Sequence, residues 1–221
     1  PHDLPVHTLE GLTSMDYGDW QGRPVAEVAE VDPELYRLWR EEPHHVRFPG
    51  GETLDDLRDR AMAALRDAIA RHSDGETILV VTHQVVTRTL ICAMLGLSTA
   101  HYWRIGQDTC CLNVFEYENG LFTTVQLNDT CHLGSRSRRG HGTRLLLVRH
   151  GQTAWNVGAG NGEHFRGRID LPLNDVGTAQ AQALAERLAD EPIAAIYSSP
   201  LQRALQTAQP IAERLDLPVQ P

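Results

Sequence analysis

With 221 residues, 41% of them hydrophobic and 22% charged, the chain can bury a full core, and its longest apolar runs are far too short to span a bilayer. A net charge of −9 argues against nucleic acid as a partner, because a polyanion needs a basic face. The four cysteines contain no Cys-x-x-Cys and the eleven histidines no His-x-x-x-His pair, so no zinc site and no required metal are expected.

The amino terminus, Pro1-His2-Asp3, has neither the basic start nor the apolar stretch of a secretory signal, which makes the expected compartment cytoplasmic. Thr53 is placed to cap a helix whose Leu54, Leu57, Ala61, Leu65 and Ala68 recur at three-to-four spacing, with Asp56 near its amino end. Thr77 to Thr82 is a continuous apolar run, the pattern of a strand covered on both faces, and a helix follows His83. Cys111 to Tyr117 and Leu121 to Leu127 flank Glu118-Asn119-Gly120, whose Asn-Gly step predicts an antiparallel hairpin. Residues 134–142 contain no apolar side chain and read as a linker.

Two more buried strands are predicted, Thr143 to Arg149 and Ile193 to Tyr197. Asn174 is placed to cap a helix through Ala179, Ala183, Leu184 and Leu188. Pro200 suits the first turn of another, with Leu201, Ala204, Leu205 and Ala208, and Pro210 would kink or end it. Strands alternating with helices predict a single α/β domain: a three-layer α/β/α fold on a mostly parallel, doubly wound sheet with an antiparallel edge hairpin.

Three of the predicted strands lead directly into residues suited to phosphoryl transfer, at the carboxyl ends where such sheets bind ligands. One leads into Arg149-His150-Gly151-Gln152-Thr153, with Asn156 close behind. A second leads through Ser198-Ser199-Pro200 to Arg203 in a helix's first turn, where the helix end itself favours an anion. The third leads to Thr82-His83.

These motifs resemble the histidine phosphatase (phosphoglycerate mutase-like) superfamily. Arg149-His150-Gly151 with Thr153 and Asn156 looks like its nucleophile loop, and Ser198 to Ala204 with Thr207-Ala208 like its second phosphate-binding segment. Gly18-Asp19-Trp20-Gln21-Gly22 is similar to a family Gly-x-Trp-Glu-Gly stretch; Pro49-Gly50-Gly51-Glu52-Thr53 and Val81-Thr82-His83 also match. Their order differs from the family's, in which the Arg-His-Gly strand comes first. Joining Pro221 to Pro1 would restore it, so the resemblance implies a circular permutation: 1–133 equivalent to the family's C-terminal part, 134–142 a linker, and 143–221 equivalent to its N-terminal part.

The resemblance implies a cofactor-independent phosphomonoesterase of small phosphorylated metabolites. His150 would become phosphohistidine, and Arg149, Arg203 and His83 would surround the phosphoryl oxygens. Asn156, Thr153 and Arg166 would meet the substrate or inorganic phosphate. The family's acid, a glutamate four residues before the glycine of Gly-x-Trp, is replaced here by Ser14, whose hydroxyl is too weak an acid to substitute. Asp16, on the same side of an extended segment, is the candidate replacement. Three readings stay open on these residues: an enzyme impaired at Ser14, an enzyme using Asp16, and a noncatalytic phosphate or phosphoprotein binder. A phosphoglycerate mutase-type phosphotransferase is the remaining alternative, less similar because the mutases have a longer segment around this motif. No membrane partner is expected; terminal strands exchanged between copies would give a homodimer.

Overall fold

The computed structural model describes residues 6–133, 144–156 and 169–220, with only the backbone of Trp155. Arg166 and the predicted linker lie outside the described residues. The chain divides into two compact units, 1–139 and 140–221, each with its own packing.

In the first unit, α1 (Val25–Val31) and α2 (Pro33–Glu41) precede α3 (Leu54–Ile69) and α4 (Gln84–Met94). Thr53 caps α3 as expected. Its Oγ1 accepts from Asp56 N at 3.1 Å while Thr53 N donates to Asp56 Oδ2 at 2.9 Å, a reciprocal capping box. The bonds from Thr53, backbone first, hold the Asp56 carboxyl below its ordinary range. Thr53→Ala removes the hydroxyl half of this box and should cost about 1 kcal/mol, read as a lower urea midpoint with unchanged slope.

The core of this unit is aromatic and aliphatic: Trp39, Phe48, Leu54, Leu57, Val86 and Tyr102 are all buried in one cluster. Phe48 sits among Tyr17, Trp20 and Trp39 with ring centroids 5.0 to 5.4 Å away and steep interplanar angles, the edge-to-face arrangement that aromatic quadrupoles favour. The hairpin forms as predicted, its first strand one residue later and its second two residues longer: β1 (Leu112–Glu118) pairs antiparallel with β2 (Leu121–Asp129). Asn119 and Gly120 have φ of 51° and 83°, the double left-handed conformation of a type I′ turn.

In the second unit, α5 (Asp175–Arg187) packs on α6 (Gln202–Leu215) through small buried residues, Ala181 and Ala185 on one helix and Ala208 and Ala212 on the other. Asn174 caps α5, its Oδ1 accepting from Gly177 N at 2.8 Å. The start of α6 differs from expectation. Leu201 is the capping residue, and the first-turn amide of Gln202 is satisfied from outside by Asp170 Oδ1 at 2.7 Å, so Pro200 remains outside the helix. Pro210 does not end α6, because the stripe Thr207, Ala208, Ile211 and Ala212 is buried on both sides of it and outweighs one missing amide bond. A two-residue parallel sheet, β3 (Ile196–Tyr197) with β4 (Val219–Gln220), completes the unit.

The doubly wound sheet does not appear within either unit. Among the described residues the strands make two two-stranded sheets, β1–β2 and β3–β4. Residues 77–82 and 144–149 run without strand pairing, leaving Val81 83% and Leu147 94% exposed. The physical reason is that a strand exists only against a neighbour's backbone, and neither unit supplies one alongside these runs.

Candidate active site

In the second unit the loop carrying Arg149 and His150 is tied down from three directions. Gly151 N donates to Thr207 Oγ1 at 3.0 Å, and that hydroxyl in turn donates to the carbonyl oxygen of Arg203 at 2.7 Å. Gln152 is stitched to α5: its N donates to Gln180 Oε1 at 2.9 Å, and its backbone and side-chain oxygens accept from Asn174, both at 3.0 Å. Gly151 and Gly177 allow this approach, since a Cβ on Gly177 would stand 2.0 Å from the carbonyl oxygen of Gln152.

The ring of His150 is half-buried, with Nδ1 2.7 Å from the carbonyl oxygen of Gly151. A carbonyl can only accept, so Nδ1 is the donor in this contact and Nε2 is the nitrogen not engaged by it. Arg149 is exposed at the end of the extended run. Arg203, in the first turn of α6, is buried and donates through Nη1 to the carbonyl oxygen of Ile169 at 2.7 Å. Gly151, Thr207 and Arg203 are thus joined by two hydrogen bonds. Thr153 is fully buried, and its N and Oγ1 both donate to Asn156 Oδ1, at 2.9 and 2.8 Å. This pair braces the loop from within.

In the first unit His83 caps α4 with an extended backbone, its imidazole exposed and making no capping bond. Its carbonyl accepts from Thr87 N and Oγ1, and the preceding Thr82 Oγ1 donates to the carbonyl oxygen of Leu12 at 2.8 Å. That bond ties the approach to His83 to the segment leading into Ser14 and Asp16. Met15 is buried between a half-buried Ser14 and an exposed Asp16, the alternation that places both polar side chains on one side. Asp16 Oδ1 accepts from Gly18 N at 2.8 Å and from Gln21 Nε2 at 3.0 Å. Among the described residues no cluster of three His, Cys, Asp or Glu side chains is arranged to hold a metal, and no helix is long and apolar enough to cross a membrane.

Several structural residues carried too little signal in the sequence. Glu52 accepts from Asp16 N and pairs with Arg60. Arg60 could have been sought as the cation two helical turns beyond Glu52. Arg88 is buried, with its Cζ 5.2 Å from the ring centroid of Tyr102 and 5.1 Å from that of Trp103. Burial pushes the neighbouring Tyr17 phenol up to about 12.

The His150 loop and the start of α6 that bears Arg203 are thus held to one another through Gly151 and Thr207. A family model, the histidine phosphatase superfamily (branch 1), matches residues 1–130 and 145–221, and the chain belongs to that family. It is 38% identical over 132 residues to phosphoserine phosphatase 1 of Hydrogenobacter thermophilus, covering 60% of this chain and 62% of that protein. It is 29% identical over 213 residues to 2-carboxy-D-arabinitol-1-phosphatase of Triticum aestivum, covering 91% of this chain and 42% of the wheat protein. Among solved structures, Bacillus stearothermophilus YhfR superimposes with a TM-score of 0.54 at 30% identity, over 56% of this chain and 61% of that one. The chain therefore spans less than two thirds of each of these relatives. The phosphoglycerate mutase-like α/β fold follows from family and structural likeness together.

Proposed function

We propose that the chain is a phosphomonoesterase that hydrolyses small phosphorylated metabolites through a phosphohistidine at His150. The observation that carries this reading is the Nδ1 contact with the Gly151 carbonyl, which leaves Nε2 as the nucleophilic nitrogen. Relatives named for phosphoserine and for a carboxyarabinitol phosphate support small phosphate esters as substrates.

In the first step Nε2 forms a bond to phosphorus as the phosphorus–oxygen bond to the leaving group breaks, and the departing alkoxide takes a proton from Asp16. In the second, water attacks phosphorus, the nitrogen–phosphorus bond breaks, and the proton lost by that water returns to the Asp16 carboxylate. Arg149, Arg203 and His83 stabilise the charge that builds on the phosphoryl oxygens; Asn156 and Arg166 serve binding, and Ser14 lies beside the acid. No cofactor enters either step. The test is single-turnover phosphate release over a panel of phosphorylated metabolites. The expected result is acid-labile phosphate on the wild-type chain followed by release; a chain that binds phosphate esters but never becomes phosphorylated would instead be the noncatalytic binder.

The same reading makes the whole chain one domain in permuted order, with 1–133 equivalent to the family's C-terminal part and 143–221 to its N-terminal part. Two observations support it: the motifs stand in rotated order, and each unit leaves an apolar run uncovered. A gene reordered as 143–221 followed by 1–133, with a short glycine-serine joint, should give a chain with unchanged turnover and a melting temperature within about 5 °C, since contacts and not connectivity fix a fold. An insoluble or inactive product would overturn the permuted reading.

A further inference from the structure

Arg60 makes a hydrogen-bond set that its place on an amphipathic helix does not require. Its Nε donates to Glu52 Oε2 at 2.9 Å, and Nη2 donates to Glu52 Oε1 at 2.6 Å and to the carbonyl oxygen of Ser14 at 3.0 Å. Nη1 donates to the carbonyl oxygens of Gly11 at 2.9 Å and Thr13 at 2.8 Å. A guanidinium has five N–H bonds, and here every one is engaged, three of them on the backbone that ends at Ser14. Glu52 passes the constraint one step on. Its Oε1 accepts from Asp16 N at 2.9 Å, and its own N donates to the carbonyl oxygen of Asp16 at 3.0 Å.

The gripped stretch has little regular structure to hold it in place, only a three-residue 3-10 turn at Glu10–Leu12. Helix α3 has its own anchorage in the buried Leu57, Ala61 and Met62. The bonds from Arg60 therefore act chiefly on the segment. Their partners are half-buried, with side-chain exposures of 29% for Arg60 and 16% for Glu52, so the pair is shielded more than an ordinary surface ion pair.

We infer that Arg60, acting through Glu52, is a positioning residue that fixes the Ser14 to Asp16 segment so that the Asp16 carboxyl can protonate the departing alkoxide. The inference rests on the proposed phosphomonoesterase reading and adds to it a determinant outside the phosphate-binding groups. A general acid works only within hydrogen-bond reach of the atom it protonates, and a displacement of about 1 Å commonly costs on the order of a hundredfold in rate. Lysine cannot take over this role, because three donors on a single nitrogen cannot span a bidentate carboxylate and three separate carbonyls.

The test compares two leaving groups in single-turnover experiments that follow release of the alcohol or phenol. An alkyl ester such as glycerol phosphate needs a proton as it departs; 4-nitrophenyl phosphate does not. In Arg60→Lys and in the milder Glu52→Gln, release from the alkyl ester should fall by roughly 30- to 100-fold, while release from the nitrophenyl ester should change by less than about threefold. Melting temperatures identify any loss that comes from unfolding, and Glu52→Gln alone reads the same ratio if Arg60→Lys does not fold. Equal losses on both esters, or no loss on either, would overturn the positioning role while leaving the phosphatase reading intact. A wild-type chain that hydrolyses neither ester would overturn both.

Discussion

His150→Ala should abolish phosphoenzyme formation and lower phosphate release by a factor on the order of 10³ or more, with the melting temperature within a few degrees of the wild type. The large kinetic effect and the small structural one have separate causes. In the proposed mechanism Nε2 is the atom that bonds to phosphorus, and no described side chain in the loop offers another nucleophile: the amides of Gln152 and Asn156 are not nucleophilic, and Thr153 is buried. The imidazole's hydrogen bond runs to the adjacent residue, through Nδ1, and the ring is half-buried, so truncation removes little packing. Acid-quench trapping of labelled phosphate on wild type and variant, beside calorimetry, reads both halves. Turnover that survives the substitution would remove the phosphohistidine from the mechanism.

Gly177→Ala is the second large effect, and its direction runs against helix propensity. Alanine in the first turn of an exposed helix ordinarily stabilises by up to about 1 kcal/mol relative to glycine. At this position the added methyl would stand 2.0 Å from Gln152 O and 2.7 Å from Gln152 N, both backbone atoms that cannot rotate away. Overpacking of this kind costs about 1 to 3 kcal/mol, so the net change should be a loss, seen as a melting temperature lower by roughly 3 to 6 °C. The relief available to the chain is to push Gln152 outward, which moves Gly151 and His150 with it. Phosphorylation should therefore slow by at least about tenfold in the folded variant. A more stable, fully active Gly177→Ala would mean that the loop and α5 do not meet this closely.

The elements governed by local rules were legible in the sequence. Thr53 and Asn174 announce their helices because a side-chain oxygen beside an unpaired amide is a local requirement, and Asn119-Gly120 announces its turn because few residues accept two successive positive φ angles. His150 and Gly151 were legible through the resemblance of Arg149-His150-Gly151 to a family motif, whereas the close approach of Gly177 that this glycine admits is a tertiary contact no motif records. Runs such as Leu145 to Val148 were read as strands from their apolar content, but pairing depends on a distant backbone, which no window of sequence contains. The start of α6 was misplaced because its first amide is capped by Asp170, thirty-two residues earlier in the chain. Arg60 was missed because its targets are carbonyl oxygens, and every residue has one.

The bond from Thr82 to Leu12 and the double link between Glu52 and Asp16 sew three remote stretches of the first unit into one piece of scaffolding. The Asp16 carboxyl and the His83 imidazole are thus mounted on common ground. In the proposed mechanism the spacing of His83 and Asp16 is then inherited from folding of this unit and is not set anew by each substrate.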